Sequence, residues 1–204
     1  MNLHEGFWFF EKALNKKLCE EIIKFGDSKE PVQAGIGEEN EVNFNVLKKR
    51  NSKVSWLNEP WIYNEILPYI KTANTNAGWN FQWDWSENIQ FTKYGKNQFY
   101  DWHCDSFTKP YERPEDLNFH GKIRKLSATV NLTDPKEYSG GDFQFDFRNY
   151  NPEERNKKSI TNVKKAKSQG TIIVFPSHVW HRVTPVTKGN RCSLVSWCLG
   201  YPFI

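Results

Sequence analysis

Hydrophobic spacing along this chain changes character near residue 78. Across Glu11–Phe25 the apolar positions Ala13, Leu14, Leu18, Ile22, Ile23 and Phe25 fall close to helical spacing, and Gly26-Asp27 supplies a stop. Ser28–Asn45, rich in Gly, Glu and Asn, reads as a loop. Lys53–Leu57 reads as a short strand. Pro60–Ala73 reads as a second helix, with Pro60 suited to its first turn. After Asn74–Gly78, short runs of alternating, aromatic and β-branched residues predict strands at Phe81–Trp85, Ile89–Tyr94, Gln98–Cys104, Leu126–Leu132, Asp142–Phe147, Gly170–Phe175, His181–Val186 and Cys192–Leu199. Gly95-Lys96-Asn97 and Ser139-Gly140-Gly141 mark turns. Many short strands without interleaved helices predict a mainly β fold, a sandwich or jelly roll, with the two early helices packed outside. No repeat or linker divides the chain. Residues 1–204 are expected to form one domain, 1–80 as helical support and 81–204 as the β core.

Composition narrows the class. With 204 residues, 38% hydrophobic and 16% aromatic, including nine Trp, the chain can bury a core and lacks the composition of a disordered protein. Mean hydropathy is -0.75, and no apolar run approaches the roughly 18–20 residues of a membrane helix. The N-terminal stretch has no basic region ahead of its apolar residues and carries Glu5, unlike a signal peptide, so a cytoplasmic setting is expected. Cys19, Cys104, Cys192 and Cys198 form no C-x-x-C pair and are expected to be reduced thiols. The net charge of +4 is mild. Part of the excess lies in Arg148, Arg155, Lys157, Lys158, Lys164, Lys165 and Lys167, read as a solvated loop and strand edge. No nucleic-acid motif is present.

The chemistry gathers at Gln98–Asp105. There His103 and Asp105 are two apart in a strand-like run, so both side chains point to one face, about 6–7 Å apart at the backbone, close enough to share a metal ion. A second histidine would complete the two-histidine, one-carboxylate triad that suits non-haem Fe(II) with open positions. His181 is the candidate, with Arg191 ten positions beyond it. Folded as a hairpin about Lys188-Gly189-Asn190, this segment returns Arg191 alongside the His181 strand, where a guanidinium can take a carboxylate in a bidentate fork. His178, beside Pro176, lacks that spacing and reads as a loop histidine. Asp101 shares the parity of His103 and Asp105 and reads as a solvent-facing acid or as a hydrogen-bond acceptor behind a metal ligand. Trp83, Trp85 and Trp102 read as core. No argument attaches to His4 or His120.

These motifs, together with Leu126–Pro135, Tyr138-Ser139-Gly140-Gly141-Asp142, and His181–Val186 followed by Gly189-Asn190-Arg191, resemble the Fe(II)- and 2-oxoglutarate-dependent oxygenases, in particular the prolyl 4-hydroxylase-like branch with PKHD-type hydroxylases. The resemblance covers roughly Asn88–Trp197. It implies a double-stranded β-helix, with His103, Asp105 and His181 as the iron ligands and catalytic centre. It implies that Arg191 binds the distal carboxylate of 2-oxoglutarate, helped by Tyr94, Tyr100 and Ser193. The implied reaction is hydroxylation of a C–H bond, of a prolyl residue in a peptide or protein by family analogy, with release of succinate and CO2. Fe(II), 2-oxoglutarate and O2 would be required, with ascorbate admissible as a reductant. Two other readings stay open: a zinc hydrolase using the same triad, and a non-catalytic jelly-roll binding protein. The sequence does not fix the substrate or the oligomeric state.

Overall fold

In the computed structural model, which describes residues 5–35, 44–106, 109–147 and 159–203, the chain opens with β1 (Trp8–Phe10) and α1 (Lys16–Asp27). The helix starts five residues later than its apolar spacing suggests. β1 pairs with a core strand over Trp8–Phe10, Lys12 takes a positive φ, and Asn15 then caps the helix by accepting from the Leu18 amide at 2.9 Å. β2 (Val32–Gln33), α2 (Phe44–Lys49), β3 (Arg50–Asn51) and β4 (Lys53–Leu57) follow, then α3 (Pro60–Asn76). α3 buries Ile62, Ile66, Ile70 and Ala73 along one stripe. Residues 36–43 of the predicted Ser28–Asn45 loop lie outside the described residues, as do His4, Arg148, Arg155, Lys157 and Lys158.

The β region comprises β5 (Trp85–Ser86), β6 (Ile89–Tyr94), β7 (Phe99–His103), β8 (Ile123–Asn131), β9 (Ser139–Gly140), β10 (Phe143–Asp146), β11 (Ile160–Asn162), β12 (Ile172–Pro176), β13 (Trp180–Val183), β14 (Val186–Lys188) and β15 (Arg191–Gly200). One sheet has the order β1-β12-β8-β15-β6-β4-β2, with β5 also pairing β15; a second has the order β11-β10-β13-β7-β3; β14 and β9 form a two-stranded piece. All pairings are antiparallel. The result is a jelly roll of the double-stranded β-helix kind. Strands from the first eighty residues extend the large sheet at both edges. No helix among the described residues is long and apolar enough to cross a membrane.

Strand alternation explains how one sheet serves two cores. On β8, Leu126, Ala128 and Val130 face α1 and α3, and on β12 Ile172 and Val174 do the same. Ile173 and Phe175 point the other way, into a smaller cluster with Phe143, Phe145 and Val183 of the second sheet. With both faces covered, β12 is buried at every position and reads as a continuous apolar run. The helix-covered side is a packed apolar slab. The gap between the sheets holds this smaller apolar cluster with His181 against it.

Three departures from the sequence reading have local causes. Of the expected Phe81–Trp85 strand only Trp85 is in a strand, β5, because the backbone of Phe81 is engaged by the Asn74 side chain through an N–H donated at 2.9 Å and a carbonyl accepting at 3.0 Å. The expected His181–Val186 strand breaks at Thr184-Pro185 into β13 and β14, since Pro185 has no N–H for a ladder. The expected hairpin therefore does not form: β13 belongs to the small sheet and β15 to the large one, so Arg191 meets the site from the opposite side. The turn at Gly189 is present, with φ +72 and a would-be Cβ only 2.0 Å from the Glu137 carbonyl oxygen, a place for glycine alone.

Candidate metal centre and adjoining cavity

His103 ends β7 and His181 lies opposite it on β13, a directly registered cross-strand pair. Between His181↔His103 and Val183↔Tyr100, β7 carries three steps against two on β13, a β-bulge. The extra residue puts Tyr100 on the face of His103 and breaks the simple parity linking Asp101 to it. Asp101 is exposed; its backbone carbonyl, not its carboxylate, receives His103 Nδ1 at 2.7 Å. Asp105, two residues past the strand, is set by the β12–β13 turn: the amides of Asp105 and Ser106 both donate to the Ser177 carbonyl, at 2.9 and 3.0 Å.

Ligand atoms from His103, Asp105 and His181 all lie within 4.8 Å of one another. His103 Nε2 is 3.7 Å from Asp105 Oδ1 and His181 Nε2 is 3.5 Å from Oδ2. His181 Nδ1 meets the Val179 carbonyl at 2.9 Å. With both Nδ1 atoms donating to carbonyls, both Nε2 lone pairs are directed at the carboxylate, the tautomer that binds a metal. Burial, then the proximity of His181, holds the His103 pKa well below its ordinary value, so this imidazole is neutral. Burial alone would push the Asp105 carboxyl up; His181, His103 and Arg124 outweigh it and hold the group down at about 2. Its Oδ2 is buried without a hydrogen-bond partner. A carboxylate oxygen left unsatisfied between two imidazole lone pairs fits a cation, and two nitrogens with one oxygen fit Fe(II).

Arg191, 3% exposed, faces this centre from β15. Its Nη1 donates to Ser193 Oγ at 3.1 Å, and its Cζ sits 5.6 Å from the centre of the Tyr94 ring, its cross-strand partner. Gly141 leaves the room: its φ is +61, and a Cβ there would lie 2.9 Å from Arg191 Cδ. Among the described residues this buried cation has no acidic partner, an arrangement that favours an anionic ligand. Tyr94 and Tyr100 are both close to the centre, and burial pushes both phenols up, Tyr100 to about 12. They are neutral donors. His178 is exposed, and its backbone carbonyl accepts from the Cys104 thiol at 3.2 Å.

A cavity of about 330 Å³ opens beside Asp105, walled by Tyr100, Trp56, Trp197, Arg50 and Arg124 among others. Arg124 is held by Glu87 through two bonds of 2.6 Å and lies 3.9 Å over the Trp197 ring. The Ser106–Arg124 connection reaches this wall through Tyr111, whose hydroxyl donates to Glu87 at 3.1 Å. Sequence reading missed Arg50, Glu87, Arg124 and the two cavity tryptophans. For Trp197 a signal existed, because it shares the β15 parity of Arg191 and Ser193. For the Glu87–Arg124 pair none did.

The family model for the 2OG-Fe(II) oxygenase superfamily matches residues 89–199, just over half of the chain. A PKHD-type hydroxylase of Pseudoalteromonas atlantica is 29% identical over 109 residues, 53% of this chain and 41% of that protein. One of Prochlorococcus marinus (strain MIT 9301) is 32% identical over 162 residues, 78% of this chain and 60% of the relative. The chain thus spans only part of the length of these relatives. The viral collagen prolyl hydroxylase of Paramecium Bursaria Chlorella virus-1, in its 2OG complex, shares the fold, with a TM-score of 0.67, 18% identity, and coverage of 96% of this chain and 97% of that one. Fe(II), 2-oxoglutarate and O2 are the cofactor and co-substrates that go with the family. Because the match runs from β6 into β15, and so through both sheets and the centre between them, this chain belongs to the 2OG-Fe(II) oxygenase superfamily.

Proposed function

We propose that this chain is a 2-oxoglutarate- and Fe(II)-dependent hydroxylase of the prolyl 4-hydroxylase-like, PKHD-type branch, acting on a C–H bond, with a prolyl residue in a peptide or protein as the family-level substrate. The observation that carries the reading is the pairing of a three-ligand centre, His103, Asp105 and His181, with a buried, acid-free Arg191 on the facing sheet. Relatives named PKHD-type hydroxylases and a structural neighbour named a collagen prolyl hydroxylase support it.

In this reading each side chain has a bounded task. His103 and His181 present Nε2, and Asp105 its orphaned Oδ2, to the iron. The bound iron would supply the O2 activation that converts 2-oxoglutarate to succinate and CO2 and places one oxygen atom in the substrate C–H bond. Arg191 receives the distal carboxylate of 2-oxoglutarate, oriented by Ser193, while the neutral phenols of Tyr94 and Tyr100 donate towards the co-substrate. The inter-sheet cluster of Phe143, Phe145 and Phe175 excludes water behind His181, from which Phe175 is 4.7 Å away. The four cysteines form no disulfide, which suits the reducing cytoplasm we assign to the chain.

The test is anaerobic addition of Fe(II) with and without 2-oxoglutarate, followed by visible absorption. A charge-transfer band that needs both components, is absent in His181→Ala and is weakened in Arg191→Ala supports the hydroxylase. Bound metal without a band would sink the co-substrate assignment and return attention to a hydrolase or a binding protein.

A further inference from the structure

The cavity beside Asp105 is unusual in what it leaves unsatisfied. Among the described residues, five buried side-chain polar atoms have no hydrogen-bond partner, and four of them belong to residues that line this one cavity: Asp105 Oδ2, Arg50 Nη2, Gln33 Nε2 and Trp197 Nε1. The first is explained by a metal. The other three are all donors.

Arg50 is the outlier. It is 7% exposed, its Nε donates to Ser52 Oγ and its Nη1 to the Gly35 carbonyl, both at 3.1 Å, and its guanidinium stacks over Tyr100 at 4.4 Å. Two fixed nitrogens and a stacked plane hold it rigidly and leave Nη2 as the remaining donor edge. The cavity's other cation, Arg124, is neutralised by the two-bond pair with Glu87. Asp105 carries its charge towards the metal. One positive charge and three donors are thus left over in a small space, and buried positive charge favours an anion over a neutral acceptor.

We infer that the molecule hydroxylated by this enzyme enters the cavity with a free carboxylate and places it on Arg50, with Trp197 Nε1 and Gln33 Nε2 as further donors. The carboxylate is that of a free amino acid or of the C-terminal residue of a peptide; the backbone of an internal residue, whose neighbours are neutral amides, cannot supply it. The volume of about 330 Å³ lies at the small end of ligand sites and suits one residue. Trp56 and Trp197, a tilted pair with ring centroids 6.3 Å apart, would form one wall against its apolar body. This inference rests on the hydroxylase reading for its chemistry, but its test reads binding and so fails separately.

The experiment uses Mn(II)-loaded protein saturated with 2-oxoglutarate, which is inert to turnover, and follows tryptophan fluorescence while matched pairs are titrated: N-acetyl-proline, N-acetyl-leucine and N-acetyl-phenylalanine, each as free acid and as carboxamide. At least one acid should bind ten or more times more tightly than its amide, and Arg50→Gln should reduce that ratio to near one, with Arg50→Lys recovering part of it. Comparing the free amino acid with the same residue ending an N-acetylated dipeptide then separates the two sources of carboxylate. If no acid outcompetes its amide in the wild type, the inference is overturned, whether or not the Arg50 variants fold. A preference that survives Arg50→Gln in folded protein also overturns it. Absence of the Fe(II)–2-oxoglutarate band would instead count against the hydroxylase reading alone.

Discussion

The phenol ring of Tyr100 lies flat against the imidazole of His103, with ring centroids 3.5 Å apart and planes 11° from parallel. The β7 bulge makes this possible by turning residues three apart to the same face. Tyr100 therefore orients a proposed metal ligand by its ring, whatever its hydroxyl does for the co-substrate. Tyr100→Ala should weaken Mn(II) binding by about tenfold or more, in the range seen when groups supporting metal ligands are removed, whereas Tyr100→Phe should stay within about threefold. Titration followed by electron paramagnetic resonance reads both. Equal losses in the two variants would transfer the role from the ring to the hydroxyl.

Arg191 and Ser193 predict a graded series in co-substrate affinity. Arg191→Ala removes one partner of a buried charge pair, an effect of about 2 kcal/mol or more, so half-saturation by 2-oxoglutarate should rise about 30-fold or more. Ser193→Ala removes one hydrogen bond, about 1 kcal/mol, or roughly fivefold. Metal affinity measured without 2-oxoglutarate should be unchanged in both. Parallel loss of metal binding would show that the strand, and not the clamp, had been damaged.

Gly141 gives a test at a residue with no polar side chain to lose. Alanine there must adopt φ +61, costing about 1–2 kcal/mol, and its Cβ would press on Arg191 Cδ from 2.9 Å. Gly141→Ala should lower Tm by about 2–8 °C and also weaken 2-oxoglutarate binding. A change in stability without a change in affinity would mean that Arg191 yields without moving its guanidinium.

The Glu87–Arg124 pair predicts the largest effect on stability. Glu87→Gln strands a buried guanidinium, and losses on breaking such pairs run to about 3–5 kcal/mol. Urea denaturation should show a loss of this order, and replacing both residues with methionine should recover much of it. If the single variant were neutral, the pair would be solvated in solution.

Metal itself should stabilise the fold. At a hundredfold excess over its dissociation constant, Mn(II) contributes about 2.7 kcal/mol, or about 5–10 °C in Tm for a chain of this size. Differential scanning fluorimetry should show that rise in the wild type, none with EDTA, and none in His181→Ala.

Much of this was legible in the sequence, and the reasons are specific. β12 and β15 announce themselves as continuous apolar or alternating runs because their burial is set by faces that strands always present. The clustering of His103, Asp105 and His181 was legible because a candidate ligand set is defined by residue type and spacing. The hairpin expected to carry Arg191 was not, because a Thr-Pro break lets β13 and β15 join different sheets, and that depends on partners far along the chain. Asp101 was legible as a solvent-facing acid, although the bulge cancels the parity that linked it to His103. Glu87 and Arg124, 37 positions apart, meet only through tertiary packing, and no local pattern records that.

The separation of β13 from β15 into facing sheets has a last consequence. One sheet carries the proposed metal ligands and the other carries the guanidinium, so the spacing between the sheets acts as a caliper. In the proposed function it would select the co-substrate by the length between its two ends, independently of the chemistry at either end. A dicarboxylic 2-oxo acid one methylene longer or shorter should then fit one jaw at a time.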